Sequence, residues 1–430
     1  MTMEACLGLS FCDKFLLQSD FSKIGLFSII YFRKIMRIAF IGQKGIPAKS
    51  GGVERHVEEI STRMAKSGHN VTVYVRSSYD SKRKKFFKGI RLIHIPSVAT
   101  KNLDAITYTI LATLHALFCR YDVLHYQAIG PSSLSWMPRF FKRRTIIVAT
   151  FHSRDYEHQK WGWFAKLYLK FGEWITCNAP HATIVIGKSI ARYVYKSHGK
   201  KTIYIPNGSS ILPTKSSRTL SRWGLRKKRY ILSVSRLVKH KGLHFLIEAF
   251  KLLEDTNRLP NNFKLVIVGD HSKTKEYSQY LKFISRGRKN IIFTGERTGM
   301  ALRELYSHAY MFVQPSFSEG LSIALLEAMS CSIATLVSDI PENIEAVENA
   351  GTSFHVGNKD DLVKKMAMLL NCPEEVDKLG IMSRERIRRE YSWDSVALNT
   401  VHVYETVLRL QGSKSFFSSK AGNMSIKSAR

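Results

Sequence analysis

Short apolar runs alternate along this chain with stretches whose apolar positions recur every three or four residues. RIAFIG (37–42) has the length and unbroken apolarity of a buried strand. A loop carrying Gly45, Gly51 and Gly52 follows it. Val53, Val57, Ile60 and Met64 then recur at helical spacing, and Gly68 stops the helix. VTVYVR (71–76) predicts the next strand, and the runs at 123–126 and 145–150 continue the alternation. The pattern restarts at YILSVS (230–235), with a helix over 243–253 and strands at 263–269, 291–294, 310–314 and 333–338. Strands alternating with helices predict parallel sheets, which gather ligands at the carboxyl ends of their strands. A Gly/Ser/Pro/Lys-rich seam after IPNG, near 207–222, separates the two series. The fold class is therefore α/β, with two doubly wound, Rossmann-like domains (36–210 and 211–390) facing each other across a cleft. A helical stretch over 373–410 contains a C-terminal helix at 391–410, and the polar composition of 411–430 predicts a disordered tail. Because the first strand starts abruptly at Met36, residues 1–35 read as an extension upstream of the true start, or as a short amphipathic arm.

Composition narrows the class. In 430 residues, 66 Lys+Arg face 34 Asp+Glu, a formal net charge of +32, yet 44% of residues are apolar. That is too apolar for a disordered polycation and ample for a large core. Cys6, Cys12, Cys119, Cys177, Cys331 and Cys372 form no CxxC pair, which predicts reduced thiols in a cytoplasmic protein. No apolar run reaches the ~18–20 residues needed to cross a bilayer. The longest candidate, 105–119, carries Thr and His, ends at Arg120 and reads as a buried helix. Glu4 and Asp13 stand where a signal peptide needs positive charge. Gly187-Lys188-Ser189 ends like a P-loop, but Ala182 replaces its first glycine. Neither opening strand runs into GxGxxG, there is no HExxH, and no Asp-x-Asp follows a strand. No metal site is predicted, so a diphosphate leaving group would have to be stabilised by side chains and helix dipoles.

Residues 318–327, SEGLSIALLE, supply candidates. Gly320 permits a sharp turn, placing Glu319 on a loop and Glu327 eight residues on in the following helix. The amides of Gly320, Leu321 and Ser322, at that helix's N-terminus, suit phosphate. Taken alone, two Glu at this spacing are more often solvated. Together with RLVKHKG (236–242) and the strand-ending VGD (268–270), however, the segment resembles the retaining glycosyltransferases of family 4, of GT-B architecture. The resemblance runs from about Met36 to Leu410. It implies that Arg236 and Lys241 neutralise the donor's diphosphate, that Glu319 contacts the donor sugar, and that Glu327 holds the ribose. It assigns acceptor binding to the first domain and nucleotide-sugar binding to the second. The donor is then a nucleotide-diphosphate sugar, with no further cofactor. Ser235 stands where the family usually has Gly, a small-for-small exchange.

The first half narrows the resemblance. GQKGIPAKSGGVERHVEEI (42–60) looks like the opening of bacterial family 4 enzymes that build capsule, O-antigen or exopolysaccharide. Gly51 and Gly52 match the tight loop whose backbone approaches the donor; their other reading is simply the start of a helix. FHSRDYEHQKWGWFAKLYLKFGE (151–173) matches a segment that would set His152 beside the reacting carbon, with Ser153 in place of the usual Gly. His158, Lys160 and Trp161 are candidates for the acceptor side. The implied reaction is transfer with retention to a saccharide or lipid-linked saccharide; a nucleotide-sugar epimerase on the same architecture is the alternative. Nucleic acid falls away as a partner, since no recognised binding motif accompanies the charge. Residues 1–210 hold 32 basic and 12 acidic groups, and residues 211–430 hold 34 and 22. Two runs, 82–88 and 139–144, set Phe pairs among cations, which predicts contact with an anionic membrane, at the inner face of the cytoplasmic membrane.

Overall fold

The computed structural model describes residues 34–427 except 50, 80–82, 99, 101–102, 155, 157–161, 210–211 and 271–274, with side chains as far as 413. The segment 1–33, most of the expected extension, lies outside the described residues.

The first domain runs β1 (Arg37–Ile41), α1 (Gly52–Lys66), β2 (Asn70–Arg76), β3 (Phe86–Phe87), β4 (Ile90–Ile95), α2 (Leu103–Phe118), β5 (Val123–Gln127), α3 (Ile129–Ser132), α4 (Trp136–Phe141), β6 (Ile146–Phe151), α5 (Trp163–Asn178), β7 (Ala182–Val185), α6 (Lys188–His198) and β8 (Ile203–Tyr204). Its sheet has the order β3-β4-β2-β1-β5-β6-β7-β8, parallel but for the β3–β4 pair. The second domain runs β9 (Tyr230–Val234), α7 (Leu243–Asp255), β10 (Lys264–Val268), α8 (Lys275–Ile284), β11 (Ile291–Gly295), α9 (Gly299–Ser307), β12 (Met311–Gln314), α10 (Ile323–Ser330), β13 (Ala334–Ser338), α11 (Pro341–Val347), β14 (Thr352–Phe354), α12 (Lys359–Asn371) and α13 (Pro373–Glu390). Its sheet is wholly parallel, in the order β11-β10-β9-β12-β13-β14.

The period of two in β1 sorts its side chains between two cores. Ile38 and Phe40 join Val57, Ile60 and Met64 of α1, whereas Ala39 and Ile41 meet Tyr108, Ala112 and Ala116 of α2. In each sheet the strand order reverses beside the domain's first strand: β1 lies between β2 and β5, and β9 between β10 and β12. The loops leaving such strands part in opposite directions and open a crevice, so two switch points define the cleft.

Three expectations change. The helical stretch expected over 373–410 is two helices, broken at Tyr391–Ser392, where Ser209 bridges to Ser392 and its amide donates to Tyr391 O. The last helix, α14 (Trp393–Lys427), runs through most of the segment whose composition predicts disorder. Trp393, Val396, Val401, Val403 and Tyr404 anchor it in the first domain's core, and a nucleated helix propagates cheaply where no proline stops it. Finally, α2 is not a buried helix: Leu103, Ile110, Leu111, Leu114 and Phe118 are exposed, because only one stripe of it (Tyr108, Ala112, Ala116) meets the sheet. No helix among the described residues is long and apolar enough to cross a membrane.

Candidate functional site

The two switch points face each other across a cleft of about 2400 Å³. His152, Gly51, Gly52, Arg236, Lys241, Glu319, Gly320, Leu321, Ser322 and Glu327 all line it, brought together from the segments that follow β1, β6, β9 and β12. His158, Lys160 and Trp161 lie outside the described residues.

The second-domain wall is built from two loops held in register. After β9 the chain passes Arg236 and turns at Gly242, whose φ is +65°; a Cβ there would stand 1.9 Å from Pro315 O. Only glycine allows that approach, which lays the 236–242 loop against the loop after β12. The Phe317 amide donates to His240 O at 2.8 Å across the same seam. Lys241 Nζ meets both carboxylate oxygens of Glu319 at 2.6 Å, and Ser316 Oγ donates to Glu319 Oε1 at 2.6 Å. The guanidinium of the half-buried Arg236 has no hydrogen-bond or ion-pair partner among the described residues and faces the cleft uncommitted.

Ser322 caps α10, accepting from Leu325 N while its hydroxyl donates to Gln314 Oε1 at 2.8 Å. Gln314 in turn donates to Asn343 Oδ1 at 2.7 Å. This chain of neutral bonds fixes the turn that aims the first amides of α10 into the cleft, where they favour an anion. Glu327 lies on the same helix and is 8% exposed. Burial pushes its carboxyl up to about 7, against the opposing pull of the Arg55 charge.

The first-domain wall contributes His152, with His56 and His125 buried near it. His152 Nε2 pairs with Gln127 Oε1 at 2.8 Å; with the amide oxygen as acceptor, the ring proton sits on Nε2 and Nδ1 is left as an acceptor. The His152 ring meets His56 edge-on, with centroids 4.9 Å apart. Burial holds His152 and His125 well below the usual histidine range, and His56 falls to about 4. All three are neutral at physiological pH, so the site keeps fixed positive charge on Arg236 and Lys241 rather than on histidine. The domains meet where Gly320 passes His152: a Cβ on Gly320 would lie 2.4 Å from His152 O. Asn207 completes the join, its Oδ1 2.9 Å from His56 Nδ1 and its Nδ2 donating to Leu321 O at 2.8 Å.

Sequence reasoning missed His56, Gln127, Asn207 and Arg55. Asn207 stood in the quoted IPNG, but was read only as a seam. His56 stood in GGVERHVEEI as one more helical residue, and nothing in its spacing shows that it meets a residue 96 positions later.

Comparison with known proteins agrees with this geometry. The model for Glycosyltransferase Family 4 matches residues 50–210, and that for Glycosyl transferases group 1 matches residues 219–386. A glycosyltransferase of Methanocaldococcus jannaschii is 25% identical over 411 residues, covering 88% of this chain and all of that one. The N,N'-diacetylbacillosaminyl-diphospho-undecaprenol alpha-1,3-N-acetylgalactosaminyltransferase of Campylobacter jejuni is 29% identical over 188 residues, 43% of this chain and 46% of its own. Among solved structures, Anabaena HepE in complex with UDP-glucose superposes with a TM-score of 0.72 at 16% identity, covering 86% of this chain and 100% of its own. With both domains matched in order and the two sheets facing across one cleft, the chain belongs to the family 4 (group 1) glycosyltransferases of GT-B fold, enzymes that draw on nucleotide sugars.

Proposed function

We propose that this enzyme transfers a sugar, with retention, from a nucleotide-diphosphate sugar to a lipid-linked saccharide during synthesis of a bacterial cell-surface polysaccharide. The observation that carries the reading is the uncommitted Arg236 beside Lys241–Glu319, all facing the N-terminus of α10. As the bond from the anomeric carbon to the diphosphate breaks, its electron pair passes to the phosphate oxygen. Arg236, Lys241 and the α10 amides meet that growing charge, which lowers the barrier more than it tightens ground-state binding. The acceptor hydroxyl bonds to the anomeric carbon on the face the diphosphate leaves, and its proton goes to a phosphate oxygen. Glu319, fixed by Lys241 and Ser316, is placed for hydroxyls of the donor sugar; Glu327 is placed for the two ribose hydroxyls. His152, neutral, offers Nδ1 as an acceptor beside the sugar. Gly51 and Gly52, at the start of α1, let the backbone come close to the donor.

Retention and the polysaccharide role rest on resemblance to family members. A lipid-linked acceptor is supported by the partial likeness to the Campylobacter enzyme, whose name specifies a diphospho-undecaprenol substrate. A panel of nucleotide sugars, offered with bacterial lipid extracts and followed by release of nucleoside diphosphate and by NMR of the new linkage, tests the whole. Sugar appearing on lipid with the donor's anomeric configuration supports the reading. Inverted product, or isomerised donor without transfer, contradicts it.

A further inference from the structure

The exposed apolar surface of the first domain is concentrated on three helices. Phe118 at the end of α2, Phe140 and Phe141 on α4, and Trp163, Phe164 and Trp174 on α5 are 54–88% exposed, Phe118 the most. The helices are neighbours: α2 packs on α3 and α4, and α3 packs on α5. They cover the sheet face opposite α1 and α14, because the sheet residues beneath α2 belong to a different core from those beneath α1.

The charge on this face is one-sided. The carboxylates carried by α2, α4 and α5 are Asp104 and Glu173, and both point inward. Asp104 pairs with Arg76 at 2.8 Å, and Glu173 receives Tyr193 at 2.9 Å and pairs with His198 at 2.8 Å. Arg120, Arg143, Arg144, Lys166 and Lys170 are exposed, and their charged groups have no hydrogen-bond or ion-pair partner among the described residues. Aromatic side chains among uncommitted cations, with no exposed carboxylate among the described residues of these helices, match the boundary between headgroups and acyl chains of an anionic membrane. A two-fold pairing of copies would instead bring the cations of one face towards those of the other, with no carboxylate to meet them. The face is also continuous with the cleft, since the exposed Phe164 lines it and so does Ile106 in the first turns of α2.

We propose that the α2–α4–α5 face seats on an anionic phospholipid bilayer and opens the acceptor side of the cleft at the membrane surface. The inference rests on the reading of a lipid-linked acceptor and deepens it. Of the two runs expected to touch a membrane, 139–144 lies in this face. In the other, Phe87 packs against the core beneath α1, and Lys88 pairs with Glu58 at 3.1 Å.

The test is flotation of the full chain with vesicles of phosphatidylcholine alone or with phosphatidylglycerol, at low and high salt. The proteins compared are wild type, Phe140→Ser/Phe141→Ser/Trp174→Ser, Arg143→Glu/Arg144→Glu, and Phe283→Ser as an exposed control in the second domain. The expected result is tenfold or stronger preference for the anionic vesicles, weakened by salt, lost tenfold or more in both face variants and kept in Phe283→Ser. The triple variant should release nucleoside diphosphate from donor alone at the wild-type rate. Equal binding to neutral vesicles, full binding by both face variants, or a lipid-free dimer that the triple variant makes monomeric would overturn the proposal. Wild-type binding without any transfer to lipid would leave the docking face standing and remove the acceptor reading instead.

Discussion

Arg236 and Lys241 stand five residues apart in sequence but in different circumstances. Lys241 is held by both oxygens of Glu319, and the two side chains are 14% and 7% exposed. Removing one partner of so enclosed a pair strands the other charge, so Lys241→Ala should cost about 3 kcal/mol of stability as well as turnover, measured by urea unfolding beside kinetics. Arg236 has no partner to strand, and its replacement should leave the unfolding midpoint nearly unchanged. Glu327 adds a pH signature. Burial raises its carboxyl from 4.5 to about 7, so the native chain keeps a proton that the unfolded chain gives up. Stability should therefore fall as pH rises from about 4.5 to about 7 and level off above, by on the order of 3 kcal/mol from this group. Melting curves across that range should show the slope reduced in Glu327→Gln; identical pH profiles would mean that the carboxyl titrates normally. In the native chain the carboxylate forms around pH 7, where it becomes the better acceptor for ribose hydroxyls, so donor affinity should rise through about pH 7 only in wild type.

At the scale of elements, the domains are tied by polar contacts that no pattern of apolar residues announces. Glu345 on α11 accepts from the Lys188 and Ser189 amides at 2.7 and 3.0 Å, capping α6 of the opposite domain, whose own N-cap is Gly187. Glu345→Ala should cost about 1 kcal/mol by leaving those amides unpaired, read as a fall in melting temperature. The segment rejected as a P-loop is thus a helix start already occupied by a carboxylate. Helix α14 shows the same limit of sequence reading. Its apolar positions reveal a helix, but not that Trp393 crosses back to pack on Gly208 and in the first domain's core. Trp393→Ala should cost about 3–5 kcal/mol, measured by chemical denaturation. A cost under 1 kcal/mol would mean that the helix is not anchored there.

For the whole molecule, alternating strands and helices suffice to reveal two doubly wound domains, because parallel sheets need crossover helices and each element advertises its own period. The Glu319–Glu327 and Arg236–Lys241 spacings are local, so they too can be read along the chain. The His56–Asn207–Leu321 join is not, since its members lie 151 and 114 positions apart. Nor can sequence tell which helix face remains exposed: α2 looks like a core helix until the sheet is seen to cover only one stripe of it. The net charge of +32 divides accordingly, nine Lys and Arg side chains of the described residues lining the cleft and others left outside on the α2–α4–α5 face. The most direct test of the central claim, transfer from a nucleotide sugar driven by fixed cations at the diphosphate, is the turnover of Arg236→Ala at saturating donor. A fall of about a hundredfold or more, with an unchanged unfolding midpoint, is the predicted result. Turnover within a fewfold of wild type would contradict it.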